Sequence, residues 1–149
     1  MKKRGFTLFE LLVSISIIGI LTALAVVSYG SMQKKARDAR RVQDMLNIQK
    51  AEEQIFMLNN SNYLGVAPAA GGCIASGASW TVNESVILQA VPEDPKPTYD
   101  TYKYNSCGPT TYCICAHLEG STGNSTSGGS GCNTWVNGIG AFYCISNQQ

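Results

Sequence analysis

Glu10 is the residue whose position most requires a chemical explanation. No charged side chain occurs among the 23 residues between Glu10 and Lys34. A carboxylate a few residues inside a membrane helix costs roughly 2.5–3.5 kcal/mol on insertion scales, so it needs a function or a partner. No Lys or Arg follows Glu10 within one helical turn. A positively charged group supplied by another chain is therefore a candidate partner.

Six cysteines form the second candidate set, and all lie in the last 91 residues: Cys73, Cys107, Cys113, Cys115, Cys132 and Cys144. Six cysteines in a small exported domain are typical of a disulfide framework, with fifteen possible pairings. Cys113 and Cys115 share one face of a predicted strand, where a direct bond between them would strain the geometry. We expect each to bond elsewhere, with Cys107, Cys132 or Cys144 as partners.

Zinc is the alternative for the same residues. Cys113, Cys115 and His117 would share one strand face, and Cys107 or Cys132 would complete a tetrahedral site. Paired Cys-x2-Cys knuckles are missing, and an oxidising compartment favours disulfides, so the sequence predicts no metal and no cofactor. His117 is the only histidine, and no Gly-x-Ser-x-Gly, phosphate loop or His-Glu-x-x-His occurs. We predict no catalytic residue; a redox or metal enzyme would instead show reactive thiols.

The elements that position these residues begin with an apolar N-terminal segment. The chain has 149 residues and a net charge of +1, which excludes a strong overall attraction to nucleic acid. Residues 6–29 supply 24 mainly apolar positions, and about 20 suffice to cross a bilayer as a helix. The segment is longer than the apolar core of a secretory signal, and no Ala-x-Ala exit follows it. A simple signal anchor is the plainest interpretation.

The first residues carry a more specific pattern, Lys2-Lys3-Arg4-Gly5-Phe6-Thr7-Leu8-Phe9-Glu10. It resembles the class III signal of type IV pilins and type II secretion pseudopilins, with a small residue, then Phe, then Glu five positions after the cut. The resemblance is close over about residues 1–30 and loose beyond. Two positions depart from it: Val27 stands where many relatives have a helix-bending proline, and Phe9 where Ile is common.

The resemblance implies roles for particular residues. A prepilin peptidase would cut after Gly5 on the cytoplasmic side, and Phe6 would become the methylated N-terminus. Glu10 would pair with the Phe6 amine of a neighbouring subunit and set its register. The partners implied are copies of this chain, other pilins, the peptidase, the inner membrane, and an assembly ATPase and platform protein.

Four segments follow from this interpretation: a leader at 1–5, a membrane and assembly helix at 6–29, an amphipathic continuation at 30–58 and a Cys-rich extracytoplasmic head at 59–149. The basic residues before and beyond the apolar segment leave orientation open by charge alone. The cysteines and the peptidase motif place the N-terminus inside. The chain would be a single-pass inner-membrane protein that later enters an extracellular filament or a periplasmic pseudopilus.

The segment at 30–58 contains good helix formers and neither Pro nor a further Gly after Gly30. Ile48, Ala51, Ile55 and Leu58 form an apolar stripe that Glu52 interrupts. We predict one continuous helix over residues 8–58, about 75 Å long. A solvated helix face is the commonest interpretation of the basic cluster at 34–41. Contact with nucleic acid, acidic lipid or a neighbouring subunit are alternatives.

The head begins at the turn cluster of residues 59–62. Predicted elements are a short helix at 85–91 and strands around 102–104, 112–118 and 139–145, with a flexible loop at 120–131. The predicted fold class is α+β and pilin-like, with a long N-terminal helix packed on a small antiparallel sheet.

Two functions stay open besides an enzyme. The first is a structural subunit of a type IV pilus or pseudopilus, polymerised through its N-terminal helix. The second is a minor pilin acting as a membrane-anchored module for DNA uptake or adhesion, for which DNA binding has weak support.

Overall fold

The structure, a computed structural model, describes residues 5–63, 77–96, 102–128 and 137–148, without the side chains of residues 103–108 and 137. Its helix, α1, spans Leu8–Leu58. The strands are β1 (Trp80–Val82), β2 (Ser85–Leu88), β3 (Lys103–Gly108), β4 (Thr111–His117), β5 (Gly123–Ser125), β6 (Asn137–Gly140) and β7 (Phe142–Ser146).

Helix α1 is one continuous element of 51 residues, as predicted. At its end the N–H of Asn59 donates to Ile55 O over 2.8 Å. Asn60 and Ser61 then adopt positive φ angles of 52° and 60°, a left-handed conformation that does not continue a right-handed helix. The predicted turn cluster therefore ends the helix.

Strands β1 and β2 form an antiparallel hairpin. The prediction of a short helix at 85–91 is wrong, because Ser85–Leu88 is the strand β2. Asn83 and Glu84 between the strands both have positive φ, 47° and 65°, as a two-residue hairpin turn requires. The adjacent β-branched residues Val86 and Ile87 favour an extended chain over a helix.

The other five strands form one antiparallel sheet in the order β3-β4-β7-β5-β6. The three predicted strand regions are confirmed, although the last divides into β6 and β7. The loop predicted over residues 120–131 is wrong in part, because β5 lies within it and pairs with β6 and β7. Gly123 and Gly140 permit this close pairing: a Cβ on Gly123 would overlap the backbone of Phe142, and one on Gly140 that of Ser125.

The core lies between the C-terminal half of α1 and the sheet. The helix contributes Met45, Ile48, Ala51 and Ile55, which pack with residues of β4 and β7 that include Tyr112, Ile114, Ala116 and Ile145. The predicted stripe is thus confirmed except at its end, where Leu58 is half exposed. The α+β prediction of a long helix on a small antiparallel sheet is confirmed.

Candidate assembly and anchoring site

The N-terminus of α1 is capped by its own side chains. Thr7 is the N-cap residue, and its Oγ1 accepts a hydrogen bond from the backbone N–H of Glu10 over 3.2 Å. Glu10 Oε2 accepts in return from the backbone N–H of Thr7 at 2.9 Å and from its hydroxyl at 2.7 Å. This reciprocal arrangement is a capping box, which satisfies N–H groups that the first helical turn leaves without partners.

The sequence Thr7-x-x-Glu10 is the signature of this capping box, a partner for Glu10 that the sequence analysis does not include. The carboxylate has a partner within its own chain, although the capping groups do not neutralise its charge. Gly5 and Phe6 precede the helix in non-helical backbone, and the Phe6 side chain is 82% exposed. Phe6, Phe9, Glu10, Val13 and Ser14 line an open hollow of about 370 Å³.

Residues 5–36 are all exposed in the isolated chain, so the entire apolar segment is uncovered. Within the described residues, α1 is the helix long and apolar enough to cross a membrane. Its hydroxyls are satisfied internally: Ser14 donates to Glu10 O, Ser16 to Leu12 O and Thr22 to Ile18 O, at 2.7–2.8 Å. The hydroxyls therefore add little cost when this surface enters lipid or packs against another helix.

Beyond the apolar segment, four charged residues form a buried network that we call the Arg41 cluster: Asp38, Arg41, Asp94 and Glu119. The side chain of Arg41 is fully buried. Its guanidinium donates to both oxygens of Asp94 at 2.7 and 2.8 Å, to Asp38 Oδ1 at 2.8 Å and to Glu119 Oε1 at 2.9 Å. The cluster joins α1 to the segment after β2 and to the segment after β4.

The cluster is further held by backbone donors and by a second arginine. Asp38 accepts from the backbone N–H groups of Glu119, Gly120 and Ser121 at 2.8–2.9 Å. Arg37 binds both oxygens of Glu119 at 2.7 Å. Every carboxylate of the cluster therefore has charge-assisted hydrogen bonds, the condition under which buried charges are tolerated.

These contacts set the protonation states. The hydrogen bonds from Arg37, followed by those from Arg41, lower the pKa of Glu119 to about 2. Burial alone would raise the pKa of Asp38, but the N–H donors of residues 119–121 and the Arg41 guanidinium outweigh it and lower that pKa. The hydrogen bonds to Asp94 raise the pKa of Arg41 above its ordinary value. Asp38, Arg41 and Glu119 are therefore ionised at neutral pH.

The basic residues at 34–41 divide into two groups. The interpretation of the cluster as a solvated helix face is wrong for Arg37 and Arg41, because both bind carboxylates within the subunit. Lys34 and Lys35 are exposed, and Arg40 is exposed 3.9 Å from Asp44. Sequence periodicity could not identify the partners, which lie 53 and 78 positions away from Arg41.

One disulfide bond is present among the described cysteines. Cys115 of β4 bonds to Cys144 of β7, its direct partner in the antiparallel register, as one of the predicted pairings has it. The zinc alternative is wrong, because a disulfide sulfur does not supply the thiolate ligand expected of Cys115. Cys113 is buried in β4. The predictions for Cys73, Cys107 and Cys132 fall on side chains outside the described residues.

Comparison with known proteins identifies a family motif at the N-terminus. Residues 1–26 match the family model described as the prokaryotic N-terminal methylation motif. The type II secretion system core protein G of Dickeya chrysanthemi is 34% identical over 98 residues, which are 63% of this chain and 63% of that protein. The core protein G of Klebsiella pneumoniae is 29% identical over 98 residues, 63% of this chain and 69% of that protein.

A type IV pilin is also similar to this chain. The type IV major pilin protein PilA of Myxococcus xanthus is 29% identical over 75 residues, which are 47% of this chain but 34% of that pilin. The chain thus spans about one third of this pilin and about two thirds of the secretion proteins. No solved structure shows significant similarity to the chain. The chain thus carries the N-terminal methylation motif of prepilins in front of a long apolar helix, and over part of its length it is similar to a type IV pilin and to type II secretion core proteins.

Proposed function

We propose that this chain is a structural subunit of a type IV pilus or pseudopilus-like filament. The observation that carries the proposal is the exposed apolar segment of α1 up to Tyr29, interrupted by the carboxylate of Glu10 and a few self-satisfied hydroxyls. Such a surface has two stable environments, a bilayer and a bundle of similar helices. The relatives named pilin and secretion core protein support the second environment as the final one.

Processing would precede assembly. Gly5 and Phe6 are exposed and lie outside the helix, so the bond between them is accessible to a peptidase. Cleavage by a prepilin peptidase would remove residues 1–5 and create an amine at Phe6, which the methylation motif at 1–26 associates with methylation. Residues 6–29 would hold the product in the inner membrane, with the N-terminus inside and residues 59–149 as the head outside.

Polymerisation would bury the apolar surface of one subunit against others. Contacts of this head-to-tail kind do not close on themselves, so they generate an open-ended helical filament. The Phe6 amine of one subunit would replace the capping contacts of Glu10 in its neighbour with an ion pair. A charge pair in an otherwise apolar seam fixes axial register, because any other register leaves both charges without a partner.

Two substitutions at Glu10 test the pairing. Glu10→Val removes the charge and the cap, whereas Glu10→Gln removes the charge but keeps an oxygen that can cap the helix. We expect both variants to be cleaved and inserted in the membrane but to form no filaments, as scored by electron microscopy and by immunoblots of sheared fibres. Ser14→Val, one turn further along, is the control and should assemble normally.

The results separate charge pairing from capping. Normal filaments from Glu10→Gln would show that capping is sufficient and would contradict the ion pair. Loss of membrane insertion in all three variants would point instead to a general defect of the helix.

The binding-module alternative receives less support from the charge distribution. Arg37 and Arg41, two of the five basic residues at 34–41, are engaged by carboxylates of the same subunit. A surface for the DNA backbone needs accessible cations along its length. We therefore prefer the structural role, without a catalytic activity of the chain itself.

A further inference from the structure

Two lysines in the basic segment differ from their neighbours. Arg37 and Arg41 bind carboxylates of the Arg41 cluster, and Arg40 lies 3.9 Å from Asp44. Lys34 and Lys35 are exposed, and no carboxylate oxygen of the described residues forms an ion pair with either of them. The ammonium groups of these two lysines are thus not neutralised by an ion pair within the described residues.

In the proposed anchoring, Lys34 and Lys35 lie at the edge of the membrane. At 1.5 Å per residue, Lys34 lies about 7.5 Å and Lys35 about 9 Å along the helix beyond Tyr29, the last residue of the apolar segment. The polar headgroup layer on each side of a bilayer is roughly 5–7 Å thick. A lysine side chain extends several ångströms, so both ammonium groups reach the phosphates. Tyr29, 65% exposed, is a residue type enriched at this interface.

The head packs against the helix beside these two lysines. A Cβ on Gly120 would lie 3.3 Å from Lys34 Cβ, so the segment after β4 packs against the stem of Lys34. Asp38, one turn further, is saturated by Arg41 and by three backbone N–H groups, which reduces its competition for the lysine ammonium groups. The Arg41 cluster therefore holds the base of the head against this part of the helix, and both lysines remain exposed beside it.

We propose that Lys34 and Lys35 form a binding site for the headgroup of an anionic phospholipid, such as phosphatidylglycerol, while the subunit waits in the membrane. The inference rests on the proposed membrane anchoring and adds a preference for lipid charge. Each lysine near an anionic surface strengthens binding up to about fivefold. Since the contact is electrostatic, added salt weakens it.

The test uses the full-length chain with the substitution Tyr29→Trp, reconstituted in vesicles. The introduced indole lies at the interface and is quenched by lipids with brominated acyl chains, whereas Trp80 is buried in the head. Every variant also carries Trp135→Phe, which removes the second native indole. Quenching is measured in two mixtures, one with brominated phosphatidylglycerol and plain phosphatidylcholine, the other with plain phosphatidylglycerol and brominated phosphatidylcholine. The comparison gives the relative affinity of the two lipids at the helix. The Lys34→Gln/Lys35→Gln double variant is compared with Lys50→Gln, an exposed lysine about 22 Å further along the helix.

We expect a severalfold preference for phosphatidylglycerol in the parent protein and in Lys50→Gln. The preference should fall to near one in the double variant and at high salt. An equal affinity for both lipids in the parent, or a preference that survives the double substitution, would overturn the proposal. Equal affinity together with loss of filaments in the double variant would assign the lysines to contacts between subunits, which also overturns it.

The same experiment tests membrane anchoring separately from the lipid preference. Quenching by brominated phosphatidylcholine alone shows that the helix is in the bilayer. Without that quenching the proposed anchoring itself fails. With it, the lipid ratio tests only the headgroup site.

Discussion

Replacing Arg41 with methionine is the most informative perturbation of the head, because it removes a fully buried charge while keeping an unbranched side chain of helical propensity. Three carboxylates lose a partner at once: Asp38, Asp94 and Glu119. They do not lose equally. Asp38 keeps three backbone N–H donors, and Glu119 keeps both bonds from Arg37.

Asp94 bears the largest loss. It gives up two hydrogen bonds from the guanidinium and retains, among the described contacts, the backbone N–H of Lys96 at 2.7 Å. Removing one member of a buried ion pair costs about 3–5 kcal/mol, because the other charge stays buried without compensation. We therefore expect Arg41→Met to lower the free energy of unfolding of the head by about 3–5 kcal/mol. Adding Asp94→Asn should restore part of it, since a neutral amide is cheaper to bury.

Urea unfolding of the full chain in detergent micelles measures this effect, followed by tryptophan fluorescence because Trp80 is 4% exposed in the core. Urea is preferable to guanidinium, which screens ion pairs. Arg40→Met is the matched control, because Arg40 directly precedes Arg41 in the same helix. Its side chain is 62% exposed, and its ion pair with Asp44 is long, 3.9 Å. Exposed pairs contribute about 0–1 kcal/mol.

The comparison can refute the reasoning directly. If Arg41→Met destabilises the head no more than Arg40→Met, the buried network does not hold the head to the helix. If the double variant with Asp94→Asn is as unstable as the sum of the two single variants, the two residues are not coupled.

Two further predictions concern the same head. Because the pKa of Glu119 in the folded state, about 2, lies below its ordinary value of 4.5, its contribution to stability is present above about pH 4.5 and is lost as the pH falls towards 2. Urea midpoints measured across this window should fall with pH, and Glu119→Gln should flatten the dependence; an equally steep curve in that variant would exclude Glu119 as its source. The bond between Cys115 and Cys144 closes a loop with a sequence separation of 29, so replacing both cysteines with alanine should cost about 3–4 kcal/mol in the chain-entropy description. The urea midpoint of the double alanine variant checks this, and an unchanged midpoint would show that the sheet alone supplies the stability.

Helix α1 could largely be predicted from the sequence, since its determinants are local. The uncharged segment after Glu10, the helix formers up to Leu58 and the stop at residues 59–62 each act within a few residues. A helix of 51 residues makes its backbone hydrogen bonds within itself, so nearby residues carry most of the information that predicts it. The capping box between Thr7 and Glu10 was equally local and equally readable.

Prediction was weaker where short segments depend on distant partners. Ser85–Leu88 carries a sequence compatible with a helical turn, and pairing with β1 decides that it is a strand. Strand β5 has a Gly- and Ser-rich sequence typical of a loop, and it exists because β6 and β7 lie beside it. Such short strands gain their hydrogen bonds only from other segments, so their own composition carries little information.

The sequence by itself determined the apolar segment at 6–29, the single acidic residue within that segment, Glu10, and the presence of six cysteines in the head. Only the tertiary structure decided that Cys115 bonds to Cys144, that Arg41 is buried among Asp38, Asp94 and Glu119, and that Lys34 and Lys35 remain exposed. The physical reason is the sequence separation over which each interaction acts. Helix propensity and hydropathy depend on neighbours along the chain. Ion pairs and disulfides join residues that folding alone brings together across tens of positions.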